Sequence, residues 1–309
     1  MSVALIAAAS VFASCDDDKE TNIGLTPSQP DTHTEAPEPV PMDPPVGLFN
    51  DLHAFNDSLV MASTGQGCIT RGGGFWSKLL KIVCADISGA RDGAAVGALF
   101  GGEGAAIGGA VGAALYSWNA GASAFGYKVA SGSNNSTTVS QNQLQVEKAY
   151  VRMQNDDSHV NKVPTIQLGF PAAYASSATA IGKSHNAILD LCKGNVVETV
   201  AIEEITGTLS NFQVSVIHSP KFVSVMNNAV SSGNYTVDNS DATGNYIINL
   251  FMSVADGCTG SQQDLHYIIN RYISIIEANG SLSNADKTQV YNALSVAAYS
   301  CDYWENYAQ

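Results

Sequence analysis

The sequence predicts an all-α protein: a glycine-zipper helical hairpin plus a C-terminal helical bundle, preceded by a disordered signal and tether. Three observations carry that expectation. Glycine recurs every fourth residue at 89, 93, 97 and 101, slips by three, and resumes at 104, 108 and 112. Beyond residue 140, apolar residues recur at three- and four-residue spacing, with no alternating run long enough to build a sheet. Seven of the ten prolines fall between residues 27 and 45 among acidic, Thr and Ser residues, a composition that cannot bury enough apolar surface to fold.

Residues 2–14 form an apolar, uncharged run that ends in small residues. It is too short to span a bilayer and reads as the core of a secretory signal peptide, residues 1–14. Cys15 follows Phe12-Ala13-Ser14 directly. This arrangement resembles the bacterial lipoprotein signal, with Phe12 where that pattern usually carries Leu. The resemblance implies cleavage before Cys15 and acylation of its thiol by fatty acids such as palmitate. Asp16-Asp17-Asp18-Lys19-Glu20 resembles the acidic export tag of Bacteroidetes surface lipoproteins. It implies an exported, lipid-anchored protein at the outer membrane or cell surface. Residues 15–46 then form an acidic Pro-rich disordered tether.

A third segment, residues 47–130, is expected to hold an N-terminal helix and the hairpin. Leu48, Leu52, Phe55 and Leu59 repeat at helical spacing, and Ser63-Thr-Gly-Gln-Gly67 ends the run. The next helix begins near Ser77, with Trp76, Lys78 and Lys81 suited either to a membrane interface or to packing on the protein itself. Glycines four apart share one slowly drifting helical face, so Gly89, Gly93, Gly97, Gly101, Gly104, Gly108 and Gly112 are the candidate helix-packing residues. Each costs a helix about 1 kcal/mol relative to alanine unless another backbone comes close enough to offset it. From Gly93 to Tyr116 the only charge is Glu103. A single straight helix of that length would place Glu103 near mid-membrane, at a cost of a few kcal/mol (about 3). The slip in spacing at Phe100-Gly-Gly-Glu-Gly104 instead predicts two antiparallel helices, about 86–100 and 104–126, joined at Glu103.

Cys84-Ala-Asp-Ile-Ser-Gly89-Ala-Arg-Asp-Gly93 with its Gly-Ala repeats is similar to the glycine-zipper segment of bacteriocin-like peptides and small secreted Bacteroidetes proteins, over residues 73–126. That resemblance implies helix self-association or insertion into a target membrane. The residues themselves equally allow a hairpin that packs its glycine faces together inside a soluble core.

Residues 131–140 read as a Ser/Asn linker, and residues 141–309 as the C-terminal helical domain. Helices are expected at about 142–154, 174–192, 196–208, 219–231, 244–255, 262–278 and 284–300, the last capped by Ser283 with Asp286 three residues on. Thr165-Ile-Gln-Leu is a candidate extended segment. Ile181-Gly-Lys-Ser-His185-Asn186-Ala-Ile-Leu189-Asp190 and Ala297-Ala-Tyr-Ser300-Cys-Asp-Tyr-Trp304 resemble patterns in a set of Bacteroidetes proteins to which no activity is attached. His185-Asn186 reads best as a buried polar pair that keeps helices in register.

Composition narrows function by exclusion. The net charge of −14 is distributed unevenly. Residues 1–66 carry one basic and ten acidic side chains, residues 67–130 five and three, and the remainder eight and fifteen. Such a chain offers no electrostatic footprint for nucleic acid. Gly182-Lys183-Ser184 matches the tail of a phosphate loop, but Ser177 stands where its first glycine belongs, so no nucleotide is expected. No two of the six histidines share a metal-site spacing, and Leu250 occupies the position where a calcium loop at Asn239 would need its carboxylate. No cofactor and no metal are expected, and no nucleophile elbow or facing carboxylate pair indicates an enzyme. With Cys15 acylated, Cys68–Cys84 and Cys258–Cys301 are the candidate disulfides, leaving Cys192 over.

The sequence thus points to a membrane-anchored exported lipoprotein, its partners membrane lipid through Cys15 and other copies of itself through the zipper. In one reading the hairpin is membrane-active. In the other the protein is a non-enzymatic surface-binding or envelope-structural lipoprotein, and the zipper is internal packing.

Overall fold

A computed structural model describes residues 46–65, 74–126, 138–193, 201–235 and 243–307. The signal peptide, Cys15, the tether, Cys68 and most of the 131–140 linker lie outside the described residues. Pro45–Gln309 forms one compact unit. The described residues are helical, with no strand among them, so the all-α expectation holds. In order the helices are α1 (Val46–Gly65), α2 (Phe75–Gly97), a 3₁₀ turn (Ala98–Phe100), α3 (Gly101–Phe125), α4 (Gln141–Asn155), α5 (Ser158–Lys162), α6 (Ala172–Lys193), α7 (Ile202–Thr206), α8 (Asn211–Ile217), α9 (Pro220–Ser232), α10 (Thr243–Cys258), α11 (Gln262–Asn279) and α12 (Asn284–Tyr307).

The glycine run builds the middle of the bundle. α2 and α3 lie antiparallel with their bare faces together. A Cβ placed on Gly89 would lie 2.3 Å from the Gly112 carbonyl oxygen, one on Gly93 1.9 Å from that of Gly108, and one on Gly97 2.1 Å from that of Gly104. The reverse tests give 2.4 Å at Gly104, 2.2 Å at Gly108 and 2.3 Å at Gly112. Each carbonyl oxygen thus occupies the place of the missing side chain opposite, the setting for Cα–H···O contacts worth roughly 0.5–1 kcal/mol each.

Two details of the expected hairpin change. The chain reverses through the 3₁₀ turn and Gly101, not at Glu103, which is exposed in the first turn of α3. Gly101 is not a packing glycine: a Cβ there would meet nothing within 4 Å. Its φ of +87° is the reason glycine stands there, because left-handed backbone is costly for other residues. The helix expected near Ser77 and the first arm expected from about 86 are one continuous helix from Phe75, with Leu79, Leu80, Ile82 and Val83 buried while Lys78 and Lys81 stay in solvent.

Six later helices, α4, α6, α8, α9, α10 and α12, lie against this pair. α6 and α12 pack on it and on each other, α4, α8 and α9 cover α3, and α1 rests on α10 and α11 through Leu48, Leu52 and Phe55. Two further glycines permit the close approaches: a Cβ on Gly121 would lie 2.1 Å from the Trp304 ring, and one on Gly182 2.2 Å from that of Tyr299. Gly182, the phosphate-loop look-alike, is therefore a seat for Tyr299. One hydrophobic core contains Leu79, Val111 and Trp118 from the hairpin together with Ile188, Ile269 and Leu294 from later helices. The hairpin and the C-terminal helices consequently share an interior.

Serine caps set most of the later helix starts. Ser140 accepts from the Gln143 amide, Ser210 forms a capping box with Gln213, Ser219 precedes Pro220 at the first helical position, and Ser283 accepts from the Asp286 amide as expected. Thr165–Leu168 belongs to no strand, and α5 and α8 are additional short helices.

Candidate functional site

His185 and Asn186, singled out by sequence, lie buried on α6 at the meeting of four helices. Asn186 donates from Nδ2 to the Tyr299 carbonyl of α12 at 2.8 Å, and its Oδ1 meets His185 Nδ1 at 2.9 Å. His185 Nε2 lies 3.3 Å from Asp86 Oδ2 of α2. The Ser117 hydroxyl of α3 donates to the same carboxylate oxygen at 2.9 Å, and Trp304 Nε1 of α12 donates to Ser117 Oγ at 3.0 Å. The two sequence patterns, 181–190 and 297–304, thus meet around one carboxylate. Asp86, Ser117, His185, Ser300 and Trp304 are all at 0–1 % exposure.

Burial pushes the Asp86 carboxyl above its usual range, and the neighbouring His185, with the hydroxyls of Ser300 and Ser117, opposes that rise. Among the described residues Asp86 Oδ1, His185 Nε2 and Ser300 Oγ have no partner in full hydrogen-bond geometry, so His185 and Ser300 act on the carboxyl by close approach. The cluster has the residue types of a hydrolytic triad but a different wiring. A nucleophilic serine must give its proton to histidine, and here Ser117 donates to the acid. Asp86, Ser117, His185, Ser300 and Trp304 are sealed from solvent by the described residues. What the arrangement does is tie α2, α3, α6 and α12 at one point.

A second buried carboxylate repeats the scheme. Glu147 of α4, fully buried, accepts from Gln143 Nε2 at 2.6 Å and pairs with His218 Nε2 at 2.7 Å. Gln143 Nε2 also reaches the Ile217 carbonyl at 2.8 Å, which fastens α8 to α4. Burial raises the Glu147 carboxyl as well, against His218 and Gln143. A third cluster joins α2 to α10 and α12: Arg91 donates to Asn245 at 2.9 Å and to Asp92 at 2.9 Å, Gln289 donates to the same Asn245 oxygen at 2.8 Å, and Tyr116 OH reaches Asp92 at 3.3 Å. Sequence reasoning missed Asp86, Glu147 and Arg91 because an acid or base destined for burial carries no local mark.

Of the candidate disulfides, Cys68–Cys84 involves a residue outside the described ones; Cys84, Cys192 and Cys301 are free thiols in the structure, with no bridge between Cys258 and Cys301. Cys301 is sealed in the core on α12, and burial, with Asp256 and Asp86 nearby, pushes the Cys84 thiol up to about 12. Among the described residues no group of three or more His, Cys, Asp or Glu is placed to hold a metal.

A shallow, open surface cleft lies beside the Asp86 cluster. It holds about 280 Å³ between the end of α5, α6 and the last turns of α12. Asn186 lines it from the buried side, and His159, Lys162, Asp190, Lys193 and Asp302 line it with charge.

The fold and site define a class: an all-α bundle built on a glycine-faced hairpin and tied by buried carboxylate–histidine pairs. No family model matches the chain, and comparison with curated proteins and with solved structures found no match.

Proposed function

We propose that this chain is an exported lipoprotein, anchored through an acylated Cys15 at the outer membrane or cell surface. Its helical unit is a non-enzymatic binding or envelope-structural module, in which the zipper is internal packing. The observation that supports this reading is the pairing of Gly89, Gly93 and Gly97 with Gly112, Gly108 and Gly104. The faces a membrane-active zipper would offer to other copies are already used within the chain. Charge argues the same way. α2 carries Asp86, Arg91 and Asp92, and placing such residues mid-bilayer costs about 2.5–3.5 kcal/mol each.

A second reading, insertion of the hairpin, draws on one observation. Phe75–Phe125 is long and apolar enough to cross a membrane by length and composition, and α3 has a single charged residue, Glu103, in 25 residues. The two readings separate on dye-loaded anionic vesicles. The folded protein is expected to cause no leakage, and Gly97→Leu or Gly108→Leu to unfold the unit. Leakage by the folded wild type, lost in those variants while the fold is kept, would establish the insertion reading instead. The anchor is tested by fatty-acid labelling, expected to disappear in Cys15→Ala.

A further inference from the structure

We propose that the cleft between α5, α6 and α12 binds a small zwitterion, an α-amino acid or the equivalent end groups of a short peptide. The inference rests on reading the chain as a binding module and names what it binds. The charges lining the cleft differ in how they are occupied. Asp302 accepts from Gln262 Nε2 at 2.6 Å, while Asn306 Nδ2 is held by the Asp302 carbonyl at 2.8 Å. His159 is drawn to Asp156 at 3.7 Å. Lys162 and Asp190, by contrast, are exposed and make no hydrogen bond or ion pair within the described residues.

The cleft therefore offers, on the α5 and α6 sides, an ammonium whose charge is felt only at a distance by Asp156 and a carboxylate with no hydrogen bond or close ion pair among the described residues. Asn186, 5 % exposed and fixed by His185 and the Tyr299 carbonyl, gives the site a rigid polar wall. An occupant with a carboxylate for Lys162 and an ammonium for Asp190 satisfies both. A purely anionic ligand would face Asp190 and Asp302, and a purely cationic one Lys162 and Lys193. At about 280 Å³ the space lies just below the range of roughly 300–1,000 Å³ typical for drug-sized ligands, which fits an amino acid. Exposed charge pairs contribute at most about 1 kcal/mol each, so two of them hold the ligand no more tightly than roughly 30 mM, and losing one pair weakens binding about fivefold.

The test is an amide NMR titration of the folded chain with L-alanine, N-acetyl-L-alanine and L-alaninamide. L-Alanine is expected to give saturable shifts at Lys162, Asn186, Asp190 and Asn306, with the two blocked forms binding about fivefold more weakly. Asp190→Asn should erase the advantage of alanine over its N-acetyl form, and Lys162→Gln the advantage over the amide. Both are surface changes that leave the core intact. Equal affinity for all three probes, insensitivity to both variants, or no saturable shift would each overturn the proposal. A chain that ignores alanine yet leaves vesicles intact loses only this inference, whereas vesicle leakage removes the binding-module reading itself.

Discussion

Asp86 and Glu147 are the residues whose protonation the fold controls most strongly. Both are fully buried, and burial raises both carboxyls above their unfolded values near 3.9 and 4.3. A raised carboxyl contributes stability that is complete below the unfolded value and lost as pH climbs through the folded one. The sign is opposite to ordinary acid denaturation. From pH 5 upward the melting temperature should therefore fall as pH rises, until both groups ionise in the folded chain. Each group adds at most about 1.4 kcal/mol per pH unit to that slope. Asp86→Asn and Glu147→Gln, which keep an acceptor for Ser117 and Gln143, should flatten the slope in calorimetric scans across that range. A profile that stays as steep in the double variant would show that other groups set it.

At the scale of elements, the glycines divide by what surrounds them. Gly93→Ala drives a methyl to within 1.9 Å of the Gly108 carbonyl, a backbone atom that cannot rotate away. The cost should be at least the 1–3 kcal/mol typical of overpacking (roughly). Gly102 stands in open space within α3, so Gly102→Ala should stabilise by about 0.4–1 kcal/mol by restricting the unfolded chain. Gly101→Ala has equal room but a positive φ, and should cost about 1–2 kcal/mol. Urea midpoints of the three variants check the order: Gly102→Ala highest, Gly93→Ala lowest.

The same elements show what could be read in advance. Four-residue glycine spacing announced a groove and its slip announced a reversal. Four glycines between 101 and 108 could not reveal which of them adopts left-handed backbone, so the joint was placed two residues late. α5 and α8, five and seven residues long, are too short to show a period. His185-Asn186 was recognisable as a polar pair on an apolar helix. Its partner Asp86 was not, because nothing local separates a buried aspartate from the solvated ones around it.

For the molecule as a whole, helices from both sides of residues 131–140 share one interior. α6 and α12 bury Ile188 and Ala297 in the same core as Leu79 and Val111, and a Ser/Asn-rich stretch between them had read as a hinge between two domains. A fragment of residues 141–309 alone lacks the hairpin that its helices enclose. It should show no cooperative thermal unfolding and a poorly dispersed amide NMR spectrum, while residues 45–309 unfold cooperatively and give a well-dispersed one. A cooperatively folding fragment would restore the two-domain description.

The short connection between α2 and α3 bears on how the chain acquires its shape. Contacts centred between residues 100 and 101 join positions near one another in sequence, so closing them costs little chain entropy and belongs to the microsecond regime of local structure. A chain folding from its unfolded state thus forms this pair before its later helices arrive. The buried carboxylate–histidine ties would then fasten those helices to a template already in place.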